Sequence, residues 1–209
     1  MHPLIKIDLE NALKEKVILN LGCGPEKPVG HIGIDCLDLP NVDIVADLQE
    51  GFPFLPNSSV DEIISTSLFE HIDDLGKFMA EIVRVLKPTG KCHVYVPHFS
   101  NPFYYSDYTH KSFMGLYTFF YFVDEAFQPR RKVPVFYGKT RIRVSYIRLE
   151  FLSYFAWLRP LKKLFQRWVN WSFVTQEFYE ENLCYLIPCY GMTVIFHPCK
   201  GSGSDDQHV

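Results

Sequence analysis

The sequence VILNLGCGP, residues Val17 to Pro25, is an apolar run that ends in two glycines one residue apart. Apart from Asn20, its first five residues are apolar, which predicts a strand buried on both faces, as in parallel sheets. Gly22 and Gly24 can adopt backbone torsions that other residues avoid, so the backbone can approach a ligand closely. A strand followed by a glycine turn is the usual site of a nucleotide-like ligand in an open α/β sheet.

The composition is that of one globular domain. The chain has 209 residues, 47% of them hydrophobic, so it is long enough to bury a large core. The net charge of −3 indicates no partner, but residues 130–167 contain eleven Lys or Arg residues and one acid, Glu150. This stretch suits an anionic substrate, a membrane surface or a nucleic acid, and it equally suits a solvated face.

Six cysteines form no CxxC pair and show no metal-ligand spacing. We therefore expect reduced, mostly buried thiols, no metal site and a cytoplasmic protein. The N-terminal MHPLIKIDLE carries charges where a signal peptide has an apolar core, and no run reaches membrane-spanning length. Gly201 to Val209 is rich in Gly, Ser and Asp and is expected to be a disordered tail.

Four further segments extend the strand pattern after the first strand. Apolar stretches at 33–35, 42–46 and 60–65 each end at a small or acidic residue. A helix is predicted over 75–86 because its apolar residues recur at helical spacing, and a fifth strand is predicted over 92–96. This order predicts a doubly wound α/β sheet with ligand groups at the carboxyl ends of its strands.

The connections after the first three strands are short and broken. Pro25 and Pro28 follow the first strand, and the segment 48–59 is full of turn formers, so full crossover helices are not expected there. Alternating segments at 140–151 and 192–197 predict a terminal antiparallel pair. We predict one domain over residues 1–200, with a core at 17–97 and substrate-side insertions at 98–135 and 152–188.

Acidic residues at successive strand ends suit a nucleoside. Asp35 ends the second strand, where a carboxylate can accept from both hydroxyls of a ribose. Asp47 ends the third strand and suits an adenine amine, with the apolar Leu48 beside the ring. Either acid alone would be explained more simply as a turn cap, but their order along the chain indicates a nucleoside site.

With these motifs the chain resembles the class I S-adenosylmethionine-dependent methyltransferases, and in particular the compact, methyltransferase type 11-like branch. The resemblance implies a Rossmann-like sheet of about seven strands, mostly parallel with an antiparallel last strand. Here the helices after strands one to three are shortened or missing. The matching segments are LNLGCGP (Leu19–Pro25), GID (Gly33–Asp35), ADL (Ala46–Leu48), SLFEHI (Ser67–Ile72) and EIVRVLKPTGKCHVYVP (Glu81–Pro97).

The resemblance implies S-adenosyl-L-methionine as the cofactor. The glycine turn would contact its methionine and ribose end. Asp35, at the end of the second strand, would contact its ribose, and Asp47, at the end of the third strand, would contact its adenine. His71 would line the pocket or cap its own helix. The residues implied for the cofactor are Leu21, Gly22, Cys23, Gly24, Asp35, Cys36, Asp47, Leu48, Ser67 and His71.

A dinucleotide dehydrogenase is the main rival for a glycine turn. Its GxGxxG fingerprint needs a glycine three residues after Gly24, where this chain has Lys27. Asp35 follows Gly22 by thirteen residues, whereas the fingerprint expects an acid about twenty residues on. Both differences argue against a dehydrogenase.

Candidates for catalysis lie just after the fifth strand, within Pro97 to Phe113. Transfer to a hydroxyl needs an aligned nucleophile and a group that takes its proton. His98 leaves the strand end, while Asp107 and His110 are spaced to form a hydrogen-bonded pair. A D-x-T-H stretch is found in several similar small methyltransferases, which have proline where this chain has Tyr108. The histidines could instead hold the loop together, or form a metal site with Asp107.

The insert Tyr154 to Phe173 is both aromatic and basic. A helix there would roof the substrate pocket, the interpretation we favour, or lie at a membrane interface. A hydrophobic, anionic acceptor, such as a lipid-linked or nucleotide-linked sugar, would suit both its aromatic rings and its cations. Nucleic acid is not expected, because the overall charge is negative and no nucleic-acid module is present.

Two functions remain open at this stage. The first, which we favour, is methyl transfer to a small-molecule or lipid-linked hydroxyl, with a histidine as general base. The second is a non-catalytic S-adenosylmethionine-binding protein that acts as a scaffold or sensor. The acceptor atom and the oligomeric state are not indicated by the sequence.

Overall fold

The protein is built on one eight-stranded sheet, and the computed structural model describes residues 2–200. The sheet order is β1-β4-β3-β2-β5-β6-β8-β7. The five neighbouring strands from β4 to β6 are parallel, β8 is antiparallel to β6, and β7 is antiparallel to β8. The strands are β1 (Leu4–Ile5), β2 (Ile18–Leu21), β3 (Ile32–Asp35), β4 (Ile44–Val45), β5 (Val60–Thr66), β6 (Leu86–Pro97), β7 (Ile142–Glu150) and β8 (Gly191–Pro198).

The predicted sheet is confirmed, with one strand more than expected. The additional strand is β1, which pairs antiparallel with β4 through Leu4 and Ile5. Two exposed residues carry too weak a pattern to predict a strand. The expected terminal antiparallel pair is β7 and β8, and β6 begins at Leu86, earlier than the predicted Cys92.

In the part of the chain that the structure describes, four α-helices accompany the sheet, and the strongest prediction among them is confirmed. That helix, α2, buries Phe78, Met79, Ile82 and Val85 on one face, and the side chain of Asp74 caps it by accepting from Lys77 N at 2.9 Å. The last helix was not predicted separately. The helices are α1 (Leu9–Ala12), α2 (Leu75–Val85), α3 (Arg159–Val169) and α4 (Phe173–Asn182).

The crossovers at the start of the sheet are as short as the sequence indicates. Within residues 2–200, no helix connects β2 to β3 or β3 to β4. After β4 the chain makes only a 3₁₀ turn, Leu48–Glu50, which Asp47 caps. The loops at the carboxyl ends of these strands therefore depend on side-chain contacts for their shape.

The core surrounds the central strands, whose apolar side chains are fully buried, as at Leu19, Ile34 and Ile63. The six cysteines are free thiols, and four of them are buried, as expected. Burial holds the pKa of the Cys92 thiol well above its usual range. Among the described residues, no helix has the length and apolar character needed to cross a bilayer. The predicted tail, 201–209, lies outside the described residues.

Candidate active site

The turn after β2 needs both of its glycines. Gly22 and Gly24 have φ angles of +65° and +60°, in the left-handed region that side chains disfavour. A Cβ at Gly22 would lie 3.3 Å from the Cβ of Leu68, whereas a Cβ at Gly24 would meet no atom within 4 Å. Gly22 is thus held close to the turn that follows β5, and the backbone at Gly24 faces open space. A ligand can approach the backbone closely at Gly24.

Asp35 anchors this turn from the end of β3. Its side chain is buried, and its Oδ2 accepts a hydrogen bond from Gly24 N at 2.8 Å. Its Oδ1 accepts from Leu37 N at 3.0 Å. Each carboxylate oxygen has a further lone pair, so Asp35 can hold the turn and still accept from a ribose hydroxyl.

Asp47 is the more open of the two acids. It is exposed, and its Oδ1 accepts from Gln49 N at 3.0 Å. The Gln49 side chain also donates to the carbonyl of His71 at 3.0 Å, which ties this turn to the one after β5. Leu48 packs into the main core, so in this structure it does not spread over an open site beside Asp47.

The two cysteines implied for the cofactor differ in position. The side chain of Cys23 packs against Val42 and Val45, so only its backbone belongs to the glycine turn. Cys36 is exposed after β3. Partial desolvation of its sulfur beside the backbone and the adjacent Asp35 raise the pKa of the Cys36 thiol, so it stays protonated at neutral pH.

Ser67 makes the sharp turn at the end of β5. Its φ of +52° is unusual for a residue with a side chain, and its N–H donates to the carbonyl of Tyr95 at 2.9 Å. The next residue, Leu68, is the one that contacts Gly22. The turns after β2 and β5 therefore lie side by side, as expected for neighbouring parallel strands.

Glu70 is a buried acid. Its side chain is 1% exposed, and among residues 2–200 neither carboxylate oxygen has a hydrogen-bond partner. Burial raises its pKa from 4.5 to about 7. Its backbone carbonyl accepts from the N–H groups of Lys111 and Ser112 at 2.7 and 3.0 Å, so the loop that carries His110 folds over this acid.

His71 and His110 face each other beside Glu70. Their ring centroids are 4.9 Å apart, and one ligand atom from each of the three residues lies within 4.8 Å of the others. His71 Nδ1 lies 3.0 Å from the hydroxyl of Thr109, which in turn donates to Asp107. At this spacing the side chains of Glu70, His71 and His110 can share a proton, and they could also bind a divalent cation.

His110 has one nitrogen fixed and one available. Its Nδ1 lies 2.9 Å from the carbonyl of Tyr104, which can only accept, so Nδ1 carries the hydrogen. In the neutral ring the lone pair is then on Nε2, which lies 3.6 Å from Asp107 Oδ2. Hydrogen bonds from Thr109 lower the pKa of Asp107, so this carboxylate stays ionised beside His110.

His98 is placed differently from His110. Its ring is wholly buried, its Nδ1 accepts from Ser100 N at 3.2 Å, and its Nε2 lies 3.0 Å from Glu180 Oε2. The same Glu180 oxygen accepts from Leu116 N at 2.7 Å. Both nitrogens are engaged, so this geometry favours a role in joining the end of β6 to α4 and does not favour a general base.

The structure therefore brings together three of the predicted residues, His71, Asp107 and His110, and keeps His98 apart from them. Sequence reasoning did not single out Glu70 or Thr109. Both stood within segments already noted, Glu70 in SLFEHI and Thr109 in the D-x-T-H stretch. An acid adjacent to a candidate histidine was the available signal.

Comparisons with known proteins agree with this geometry. Residues 30–94 match a family described as a methyltransferase domain, a segment that runs from just before β3 into β6. The matched segment covers less than half of the chain, and it agrees with the resemblance to the class I S-adenosylmethionine-dependent methyltransferases. The matched segment contains Asp35, Asp47 and the Glu70–His71 pair but begins after the glycine turn. No curated protein matches the chain.

Solved structures show the same fold over most of the chain. A SAM-dependent methyltransferase from Archaeoglobus fulgidus has a TM-score of 0.54 at 15% identity, covering 90% of this chain and 89% of that one. One from Mesorhizobium loti has a TM-score of 0.50 at 15% identity, covering 87% and 90%. A chain from the complex of the Haloferax volcanii Trm112 methyltransferase activator with a methyltransferase has a TM-score of 0.51 at 13% identity. The match covers 92% of this chain and 89% of that one. At these identities the likeness is one of fold.

The geometry of the turns fits S-adenosylmethionine, the cofactor implied by the match to a methyltransferase domain. The open backbone at Gly24 suits the close approach of its methionine and ribose end. Asp35 is buried at the end of β3, and Asp47 is exposed just after β4. The helix that would follow the glycine turn is missing, so backbone and loop contacts would hold the cofactor.

Proposed function

We propose that this protein methylates a hydroxyl group on a hydrophobic, anionic acceptor, with His110 as the group that takes the proton. S-adenosylmethionine, when bound, supplies a methyl group on a positively charged sulfur. The chain must then align the acceptor hydroxyl, exclude water and remove one proton. The observation that carries the proposal is the free Nε2 of His110, oriented by the carbonyl of Tyr104 at 2.9 Å.

Asp107 supports His110 as a base. When Nε2 takes a proton, the imidazolium forms beside a carboxylate whose Oδ2 lies 3.6 Å away. Thr109 keeps this acid ionised and in place through its hydroxyl and its N–H.

Glu70 supplies a carboxyl group that can hydrogen-bond to the acceptor hydroxyl. Its unpartnered oxygens lie beside His71, whose Nε2 is 4.0 Å from Oε1. With a pKa of about 7, the carboxyl is partly protonated at neutral pH and can donate to or accept from a bound hydroxyl. We propose that Glu70 and His71 position the acceptor and that His110 takes its proton.

The class of acceptor follows from the surface after β6. Exposed rings at Phe103, Tyr105 and Phe113 surround the loop that carries His110, and the cations of residues 130–167 follow it in sequence. Aromatic rings favour a lipid or a sugar ring, and cations favour a phosphate. A lipid-linked or nucleotide-linked sugar satisfies both requirements.

Transfer of a labelled methyl group tests the proposal. The protein is incubated with methyl-labelled S-adenosylmethionine and either a lipid extract or a mixture of nucleotide sugars, and label in the products is counted. His110→Ala should lower the rate by roughly 10²- to 10⁴-fold, as expected for loss of a general base. Its affinity for S-adenosylhomocysteine, measured by calorimetry, should be unchanged.

His93→Ala, on β6 and outside the cluster, is the matched control and should keep the wild-type rate. Wild-type rates in His110→Ala would overturn the role of His110. Tight binding of S-adenosylhomocysteine without any transfer by the wild-type protein would support the alternative function, a non-catalytic scaffold or sensor.

A further inference from the structure

An exposed apolar stripe runs along α3 and the residues beside it. Its members are spaced alternately four and three residues apart, which places them on one face of a helix. Each is a large side chain with much of its surface in solvent, and the core side of α3 is formed instead by Phe165 and Val169. The stripe consists of Trp157, Leu161, Leu164, Trp168 and Trp171, which are 72%, 61%, 65%, 39% and 83% exposed.

The segment that carries the stripe, residues 151–176, contains four cations and no acid, and the next acid along the chain is Glu177 on α4. Lys163 and Arg167 are exposed on the part of α3 that faces away from Val169. Arg167 also borders a shallow groove of about 510 Å³, which is otherwise lined by apolar and aromatic side chains such as Leu164 and Trp171. An apolar groove with a cation at its edge suits an acyl chain beneath an anionic headgroup.

Aromatic contacts connect this surface with the loop of the candidate active site. Tyr154, just before α3, lies 5.9 Å from Phe103 between ring centroids. Phe103 precedes Tyr104, whose carbonyl orients His110. On the same loop, Tyr105 and Tyr108 are 70% and 96% exposed. The exposed aromatic surface thus extends from α3 to the residues beside the proposed base.

We infer that the stripe of α3, with Lys163 and Arg167, docks this methyltransferase on a membrane surface that carries anionic lipids. The charge decides between occupants, because an apolar stripe with cations and no acids complements a negatively charged bilayer. The inference deepens the proposed function, on which it rests for the substrate, since docking would bring the loop of His110 to a lipid-borne acceptor.

Vesicle binding tests this docking without any methyl donor. The full chain is sedimented with vesicles of phosphatidylcholine alone and of phosphatidylcholine with phosphatidylglycerol, at low and high salt. We expect binding to the anionic vesicles, weakened by salt. The pair Lys163→Glu and Arg167→Glu should weaken it at least about tenfold, because each cation near such a surface contributes about 1 kcal/mol.

Two further variants make the result specific. Trp157→Ser with Trp171→Ser should also lose at least about tenfold, since both rings leave the interface. Lys14→Glu with Lys16→Glu changes the net charge equally on exposed residues just before β2, an inner strand four places from β7 in the sheet, and should bind like wild type. Circular dichroism of each variant checks that the fold is kept.

The docking inference falls if the anionic vesicles are not bound, or if both charge-reversal pairs weaken binding equally. It also falls if light scattering shows a dimer that the tryptophan variants dissociate, because a second copy would then cover the stripe. Failure of the proposed function looks different, since vesicles would be bound while no label is transferred to any lipid. Transfer to soluble acceptors without vesicle binding would overturn the docking alone.

Discussion

Two histidines near the end of β6 occupy opposite environments. His98 is enclosed, with both ring nitrogens engaged by Ser100 and by Glu180. His110 lies only twelve positions later, but its Nδ1 alone makes a hydrogen bond among the described residues, and its Nε2 lies 3.6 Å from Asp107 Oδ2. The sequence context of the two residues is similar, since each is a polar residue in an aromatic stretch.

The two environments suit two different roles of histidine, one structural and one as a general base. A buried histidine with two partners joins elements and loses stability when it is removed. A histidine with one fixed nitrogen is oriented but keeps a lone pair, which is what a general base needs. We therefore expect the two regions to respond to mutation in different quantities, stability in one and turnover in the other.

The largest effect on stability should come from His98→Ala. It leaves a cavity in a fully buried site and removes the ring that faces Glu180 Oε2, so we expect the free energy of unfolding to fall by about 3 to 5 kcal/mol. Urea unfolding followed by circular dichroism measures it. His110→Ala, which loses one hydrogen bond, should cost about 1 kcal/mol.

The methyl-transfer rate of a His98 variant tests whether only His110 acts in catalysis. His98→Gln keeps a polar group in the enclosed site, so where the protein folds it should retain most of its rate. A loss in His98→Gln as large as that in His110→Ala, at full folded fraction, would show that the enclosed histidine acts in catalysis.

Glu70 should give the open cluster a pH dependence of stability. Its pKa is about 7 in the folded protein and 4.5 in the unfolded chain, so between these values the folded state binds the extra proton. The contribution of Glu70 to the free energy of unfolding is therefore fully present below pH 4.5, and it is lost as the pH rises toward 7. Glu70→Gln removes this loss, so its stability relative to wild type should rise from pH 5 to pH 8 by up to about 3 kcal/mol.

Unfolding curves of both proteins at several pH values measure the difference. Glu62→Gln, on β5 and paired with Lys91, serves as a control that should show no such rise. A Glu70→Gln profile parallel to that of wild type would mean that Glu70 is already ionised and paired at neutral pH. A bound cation would have this effect, because it would favour the charged carboxylate.

Strand ends were predictable from sequence because they depend on local patterns. The apolar run before Gly22 and the single acids at Asp35 and Asp47 mark where strands stop, and parallel strands bring those ends to one edge. The missing crossover helices followed from the prolines behind the glycine turn. These features need only the residues of one segment at a time.

Burial of polar side chains was not predictable in the same way. Glu70 is buried because a loop forty residues later donates two N–H groups to its carbonyl, and no local pattern reveals that contact. His98 is enclosed by Glu180 on a helix that was not predicted separately. Such pairs arise from the three-dimensional path of the chain.

The helix of the basic insert shows a third situation. Its periodicity correctly predicts an amphipathic helix, but not which neighbours its apolar face meets. The sequence favours a pocket roof, which stays a prediction, and in the structure Leu161, Leu164 and Trp168 line an open groove at the surface. The core side of α3 is taken by Phe165 and Val169, so the remaining apolar residues stay in solvent.

The same contrast between enclosed and open groups predicts a smaller effect at the cofactor acids. Asp47 is exposed and caps only a short turn, so Asp47→Ala should weaken S-adenosylhomocysteine binding about tenfold and barely change stability.

Asp35 also holds the N–H groups of Gly24 and Leu37, so Asp35→Ala should lower both the affinity for S-adenosylhomocysteine and the free energy of unfolding, the latter by roughly 1 to 3 kcal/mol. Calorimetry and thermal unfolding on the same samples separate the two quantities. If Asp47→Ala left the affinity unchanged, the adenine end would lie elsewhere. If Asp35→Ala lost affinity at constant stability, the glycine turn would keep its shape without that carboxylate.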